Sequence, residues 1–472
     1  MKLIPSFSKD QQTDKSLRHS IKDGVAYSIM TGAGENYFSA FAIFLKATVP
    51  QVALLASLPP LLASFSQLFA VYLGQKTGVR KNIVVAGALL QGLALATIAT
   101  LPLLFPGESF LLLISFVVLY FSGANLGAPL WGSLMGSIVP VGVRGRFFGT
   151  RTRLSSVASF CSLIAAGFIL QGFDLLELTA WGFVTIFMLG VAARLVSTWH
   201  LMQLHDPPHH HAIPGDVANL FSRRFFTGER QFLRFSAFFA CMQGAVGISG
   251  PLVAVYLLRD LHFTYLELTI NMAASVLVQF LVLSRWGRLS DLFGNRIILR
   301  VTGFSIPFIP IAWVLSTDFY YLLCVQALSG LLWSGFSLSA TNFVFDLTEQ
   351  HKRAGLMALH AVFAAVAVFV GASVGGLLAI TLPTEIALLG YQFGWLSPIY
   401  GVFLISALAR LLVAAAFLPR LKEVRAVRRM TYHGLLFRVT RFSPISGVIF
   451  DVVNRINTPT TDKDKDNPSG PE

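Results

Sequence analysis

Long apolar runs, each closed by a short polar or glycine-bearing connector, set the pattern of this chain. Phe110–Tyr120 (FLLLISFVVLY) is representative. It shows no alternation, so it fits neither a half-buried strand nor the dyad repeat of a membrane β-barrel. Such runs recur at about 23–46, 51–74, 82–104, 109–138, 153–173, 178–202, 232–258, 264–286, 296–316, 319–346, 355–382 and 396–419. Each reaches the roughly 20 residues that a membrane-crossing helix needs. The pattern predicts an all-α membrane protein with twelve transmembrane helices, and an even number places both termini on one side.

Composition supports this. Of 472 residues, 54% are hydrophobic and 12% charged, and mean hydropathy is +0.67. A soluble domain carries about 25% charged residues, so a soluble multidomain enzyme and a disordered chain are both excluded. The formal charge of +13 has a topological origin. Of the 36 lysines and arginines, only Lys46 and Arg259 fall in connectors opposite the termini, and Arg194 and Arg410 lie inside apolar runs. The others gather on the side of the termini, which predicts an integral protein of the cell (inner or plasma) membrane with cytoplasmic termini. Membrane lipids are then partners. Nucleic acid is not expected, because no stripe of interleaved basic and aromatic residues is present. Cys161, Cys241 and Cys324 sit inside apolar runs, with neither disulfide nor metal spacing. No P-loop, catalytic triad pattern or metal-ligand spacing stands out, so neither enzymatic activity nor a cofactor is expected. The N-terminus is too polar for a signal peptide.

The expected division is a cytoplasmic segment over 1–22, a six-helix bundle over 23–202 and a cytoplasmic linker over 203–231. A second six-helix bundle covers 232–419, a basic amphipathic segment 420–456 and a disordered tail 457–472. The linker's His205 and His209–His211 read as solvated. The basic segment suits an anionic membrane surface. The two bundles read as a repeat. Gly32-Ala33 recurs as Gly244-Ala245, Gly74 matches Gly287, Gly78 matches Gly294, Gly87 matches Gly303 and Arg194 matches Arg410. Two pseudo-symmetric bundles of this kind meet along a cavity near mid-membrane.

One connector carries a family resemblance. Trp286–Arg296 reads WGRLSDLFGNR, with Gly287, Asp291 four residues later, then Gly294 and Arg296. It resembles the signature connector of the major facilitator superfamily of secondary transporters, in their bacterial form. Span number, topology and repeat extend the resemblance over about residues 20–420. The copy after span two (Gly74–Lys81) is shorter and has no aspartate. Span five lacks the glycine-proline signature of the drug/proton antiporters. The resemblance implies alternating access, with Asp291 helping to hold one state. Arg144 and Arg146 after span four, and Asp346 and Arg353 after span ten, are candidates for a cytoplasmic gating network. Simple positive-inside anchoring is the plainer reading of the arginines.

Glu35 stands about halfway through span one, on a face that also carries Ser28, Thr31, Gly32 and Ser39. A carboxylate at that depth costs about 2.5–3.5 kcal/mol on insertion scales, so it is a functional candidate by default. It reads as a protonation site coupling transport to a proton gradient, a direct substrate contact, or a structural group. Further cavity candidates are Tyr37, Asn125, Trp131, Gln243, Asn271, Gln326, Trp333 and His360. In the family's arrangement spans one, four, seven and ten line the cavity, which favours Asn125, Gln243, Gln326 and Trp333. Packing and a hydrogen bond are the simpler role for His360. Snorkelling to lipid phosphate is the simpler role for Arg194 and Arg410. The expected function is monomeric, proton-coupled secondary transport of a small, neutral to weakly charged organic solute. A non-transporting receptor or scaffold on the same fold, or a lipid flippase, is the alternative.

Overall fold

The first apolar run does not fold as one continuous rod. In the computed structural model, helix α1 covers Gln11–Ala33, a 3-10 turn follows at Glu35–Tyr37, and α2 covers Phe38–Phe44. The break falls at Gly34, so Glu35 opens a turn rather than lying mid-helix. The start at Gln11 lies well before the expected boundary at 23. The Asp10 side chain accepts from Thr13 N at 2.8 Å and caps the helix there. The structure describes residues 6–105, 109–206, 230–348, 353–383, 385–388, 391–394, 397–421 and 423. Most of the linker (207–229), including His209–His211, and the segments expected over 424–456 and 457–472 lie outside them.

The other first-half helices are α3 (Val49–Thr77), α4 (Arg80–Leu104), α5 (Ser109–Ile138), α6 (Arg144–Leu175) and α7 (Thr179–Met202). The second half begins with α8 (Arg230–Gly247), α9 (Leu252–Val255) and a π turn at Tyr256–Asp260. Then come α10 (Tyr265–Phe293), α11 (Asn295–Ser305), α12 (Phe308–Leu315), α13 (Phe319–Leu347), α14 (Arg353–Thr381) and α15 (Ile399–Phe417). Pro251 and Pro307 stand where two spans break into shorter helices, since proline removes a backbone donor. Among the described residues, eleven helical segments are long and apolar enough to cross a membrane. The α1–α2 segment is not among them, because Asp14 to Asp23 makes its first turns polar.

One departure from an all-helical chain is a short hairpin between the last two spans. Strands β1 (Glu385–Leu388) and β2 (Tyr391–Gly394) pair antiparallel, Glu385 opposite Gly394 and Leu388 opposite Tyr391. Outward faces remain apolar, with Leu111, Phe168, Leu281 and Leu412 exposed. Inside, Phe38, Phe41, Phe183 and Phe187 form one aromatic cluster and Tyr256, Trp313 and Phe403 another. In the second half α14 runs tight against α8: a Cβ added at Gly371 would strike the backbone of Gly244.

The connectors after the second and eighth predicted spans each turn at a positive-φ glycine, with different geometry: ψ is −1° at Gly78 and 166° at Gly294. Gly78 has φ 69° and Gly294 φ 84°, the positive values glycine adopts without strain. Beyond each turn a carboxylate from the end of the same half seats on the next helix. Asp206 Oδ2 accepts from Lys81 N at 3.3 Å, and Asp206 Oδ1 pairs with Arg80 at 2.8 Å. Glu423 Oε2 accepts from Arg296 N at 2.8 Å. The halves touch at the end of the helices remote from Gln11. There Tyr37 Oη meets Thr269 Oγ1 at 2.8 Å, Leu266 N donates to Gln171 Oε1 at 3.3 Å, and α14 packs on α3 at Gly376, Ala53 and Pro50.

Candidate functional site

A cavity of about 430 Å³ lies between the halves. The first half contributes Asn36, Ser39, Ala40 and Ala56. The second half supplies the rest, including Ser249, Asn271, Trp313, Gln326, Trp333, Phe403 and Arg410. Two aromatic walls and a few polar groups are the usual make-up of a small-molecule site. The breaks in the first and seventh predicted spans expose backbone and small residues here, Gly250 and Pro251 among them. Asn271 is only 1% exposed, and neither polar atom of its side chain has a partner.

Of the sequence candidates, Asn271, Gln326 and Trp333 line this cavity. Tyr37 does not. It is fully buried, and its hydroxyl donates to Leu163 O at 2.8 Å, tying span one to span five. Asn125 donates back to Phe121 O at 3.1 Å, within its own helix. Gln243 is half-buried, with Oε1 lacking a partner, and stands apart from the cavity lining. His360 packs against Phe235 and Phe239 and meets Ser236 Oγ at 3.0 Å, inside the second half.

Glu35 adjoins the cavity through its neighbour Asn36 but turns toward the first half. Its Oε2 accepts from Tyr120 Oη at 3.1 Å. Tyr120 is fully buried and packs edge-on against Phe38. A carboxylate set in these surroundings, with a phenol as its hydrogen-bond donor, can exchange a proton with little solvent around it.

The sequence reading passed over a second cavity, of about 400 Å³, lined by Asp23, Tyr27, Val84, Trp131, Arg151 and Arg194 among others. All its lining residues belong to the first half. Asp23 accepts from Ser197 Oγ at 2.7 Å, Ser197 in turn accepts from Arg194 at 2.8 Å, and Arg151 reaches Asp23 at 3.4 Å. Arg151 lies over the Trp131 ring at 4.2 Å and Arg194 over the Tyr27 ring at 5.0 Å. Arg194 is 6% exposed and Arg410 5%, so neither snorkels. Both guanidiniums point inward because serines wait for them, Ser197 for one and Ser249 for the other, each at 2.8 Å. Charged residues recurring at matched places inside apolar runs were the signal available in the sequence.

At the connectors after the fourth, eighth and tenth predicted spans the candidate gating residues take separate parts. Asp291 is exposed on the last turn of α10, and Gly287 lies one helical turn before it. Ser290 hydrogen-bonds Asn295, and Asn295 Nδ2 donates to Asp346 Oδ2 at 3.1 Å, joining α10, α11 and α13. Arg144 donates to Gly136 O at 2.9 Å and Val139 O at 3.3 Å, capping the end of α5. Arg146 donates to Ser6 O at 2.7 Å and lies over Phe7. Arg353 opens α14, and its side chain is outside the described residues.

Known proteins place this architecture. A family model described as Major Facilitator Superfamily matches residues 235–431. The match covers the second half of the chain, which is similar to that superfamily. No curated protein sequence matches it. Solved structures similar to this chain include the nucleoside transporter NupG, at 14% identity and TM-score 0.63, covering 88% of this chain and 100% of that one. A D-xylose-proton symporter is similar at 12% identity and TM-score 0.65, covering 88% and 99%. A bacterial homologue of the iron transporter ferroportin, in an inward-facing state, is similar at 16% and 0.64, covering 86% and 98%. Identities this low show the fold. The family match over the second half and the long apolar helices support an integral membrane transporter.

Proposed function

We propose that this protein is a monomeric secondary transporter of the major facilitator type that moves a small organic solute through the 430 Å³ cavity by alternating access, coupled to protons at Glu35. The observation that carries the reading is the cavity itself. It takes its lining from both halves of the chain, so a relative movement of the halves changes which side it opens to. Counting the broken α1–α2 segment as the first span gives twelve, in two bundles of six, and the lysine and arginine distribution puts both termini in the cytoplasm. On that orientation the contacts at Tyr37–Thr269, Leu266–Gln171 and Ala53–Gly376 tie the halves at their outer ends.

Glu35 supports the coupling role by position. It sits at the break in span one, bonded to Tyr120 on one side and followed by the cavity-lining Asn36 on the other. Protonation there changes the charge next to the solute site. The network Ser290–Asn295–Asp346, beside Asp291, is the candidate for the cytoplasmic gate.

Purified protein in liposomes with an imposed pH gradient tests the proposal. The wild type accumulates solute against its gradient. Glu35→Gln keeps downhill exchange and loses accumulation. A variant that still concentrates solute under the same gradient overturns Glu35 coupling, and absence of any solute flux in the wild type overturns transport.

A further inference from the structure

Among the described residues, the second-half arginine has no counter-charge. Arg410 is buried in the wall of the central cavity, where Nη2 donates to Ser249 Oγ at 2.8 Å and Nε has no partner. Ser249 passes its own proton on to Ser406 Oγ at 3.0 Å, and Ser406 donates to Ala245 O at 2.6 Å. These contacts hold the guanidinium in place but are all neutral. Its first-half counterpart Arg194 shares a carboxylate, Asp23, through Ser197. The residues of α8 that match Asp23 under the repeat are Phe235 and Ser236, and neither carries charge. The carboxylates nearest in sequence to the α8–α9 break face elsewhere: Asp260 accepts from Ser397 and Arg259, and Glu267 caps α10 through Thr264.

Arginine stays protonated in proteins, and a guanidinium withdrawn from water without an anion is costly. The cavity offers room for that anion. Beside Arg410, Asn271 presents an amide without partners, and Trp313, Trp333 and Phe403 present rings.

We infer that the solute carries an acidic group, a carboxylate or its equivalent, which docks on the Arg410 guanidinium while an apolar or aromatic body lies between the tryptophans. This deepens the transport reading, on which it rests, and replaces the expectation of a neutral solute. Arg–carboxylate pairs are commonly bidentate. Ser249 orients the guanidinium through Nη2, and Nε is a buried donor without a partner among the described residues.

The test is thermal stabilisation of the purified full-length protein by matched pairs: benzoate against benzamide, phenylacetate against phenylacetamide, nicotinate against nicotinamide. Expected is stabilisation by acids of the series, with apparent affinity at least tenfold above that of the matching amide. Arg410→Met abolishes the acid effect, and Arg410→Lys retains part of it. Without ligand, Arg410→Met melts no lower than wild type, since it removes an unpaired charge; that comparison shows the variant is folded. Equal stabilisation by acids and amides overturns the inference, as does acid stabilisation that survives in Arg410→Met, or a panel without effect on the wild type. Amide binding that Trp333→Ala removes, with Arg410→Met unaffected, overturns the acidic class while leaving the cavity as the solute site. Binding of either kind indifferent to both variants overturns the cavity reading as well.

Discussion

Arg194 and Arg410 occupy matching places in the two halves and meet opposite electrostatics. Arg194 belongs to a set in which Asp23, Ser197 and Arg151 share charge within hydrogen-bond reach. Asp23→Ala therefore leaves the buried guanidinium of Arg194 and the half-buried one of Arg151 with no carboxylate among the described residues, and should cost about 3 kcal/mol of stability, the order found when one partner of a buried pair is deleted. Unfolding followed in detergent measures it; a loss well below 1 kcal/mol would show that another group compensates the arginines. Glu35 was legible in the sequence because an acid stands out in an apolar run. Asp23 was not, because it directly follows the polar stretch Asp10–Lys22 and reads as the end of a solvated segment. The side of the helix on which Asp23 lies becomes visible only when Ser197, 174 residues away, packs beside it.

At the scale of elements, the two glycine turns show what a linear motif can and cannot convey. Gly78 and Gly294 were identifiable as a matched pair, and both take the positive φ that such a turn requires. The acidic seats beyond them, Asp206 and Glu423, were not, since each lies in a polar stretch with no periodicity to mark it. In the first half Arg80 is 1% exposed and donates to Ser133 and Ser137 as well as Asp206. A double-mutant cycle with Arg80→Gln and Asp206→Asn should return a coupling energy of about 1–3 kcal/mol. Simple additivity of the two changes would mean that the serines alone hold Arg80. The first connector lacks the aspartate of the second, yet it is anchored through this pair, so its short sequence does not make it slack. The hairpin at 385–394 and the early start of α1 were missed for a similar reason: both depend on local capping and pairing in stretches that hydropathy leaves blank.

For the whole molecule, the order of the spans could be read from the apolar runs, because crossing a membrane fixes their length. Cavity membership could not, because it depends on helix rotation. Asn125 and Gln243 sit on spans expected to line the cavity, yet Asn125 bonds its own helix and Gln243 stands apart from the lining. The contact between α3 and α14 gives a direct handle on movement of the halves. A Cβ built at Gly376 comes 3.1 Å from Ala53 Cβ, close to disulfide range. In a background without Cys161, Cys241 and Cys324, the pair Ala53→Cys and Gly376→Cys should cross-link under mild oxidation and stop transport, and reduction should restore it. Undiminished flux through the oxidised protein would contradict a cycle in which the halves part at this end.

The uncompensated guanidinium of Arg410 also bears on how membrane voltage acts on the cycle. When position 35 is neutral, a fixed cation deep in a low-dielectric wall makes the vacant carrier positively charged at its centre, and an arriving acid neutralises it. Moving one elementary charge through the full field is worth about 2.3 kcal/mol per 100 mV. Any fraction of that work then falls on the unloaded return step rather than on the step that carries cargo. Electrical recordings on Glu35→Gln should accordingly find the rate of resetting, and not of delivery, sensitive to the holding potential.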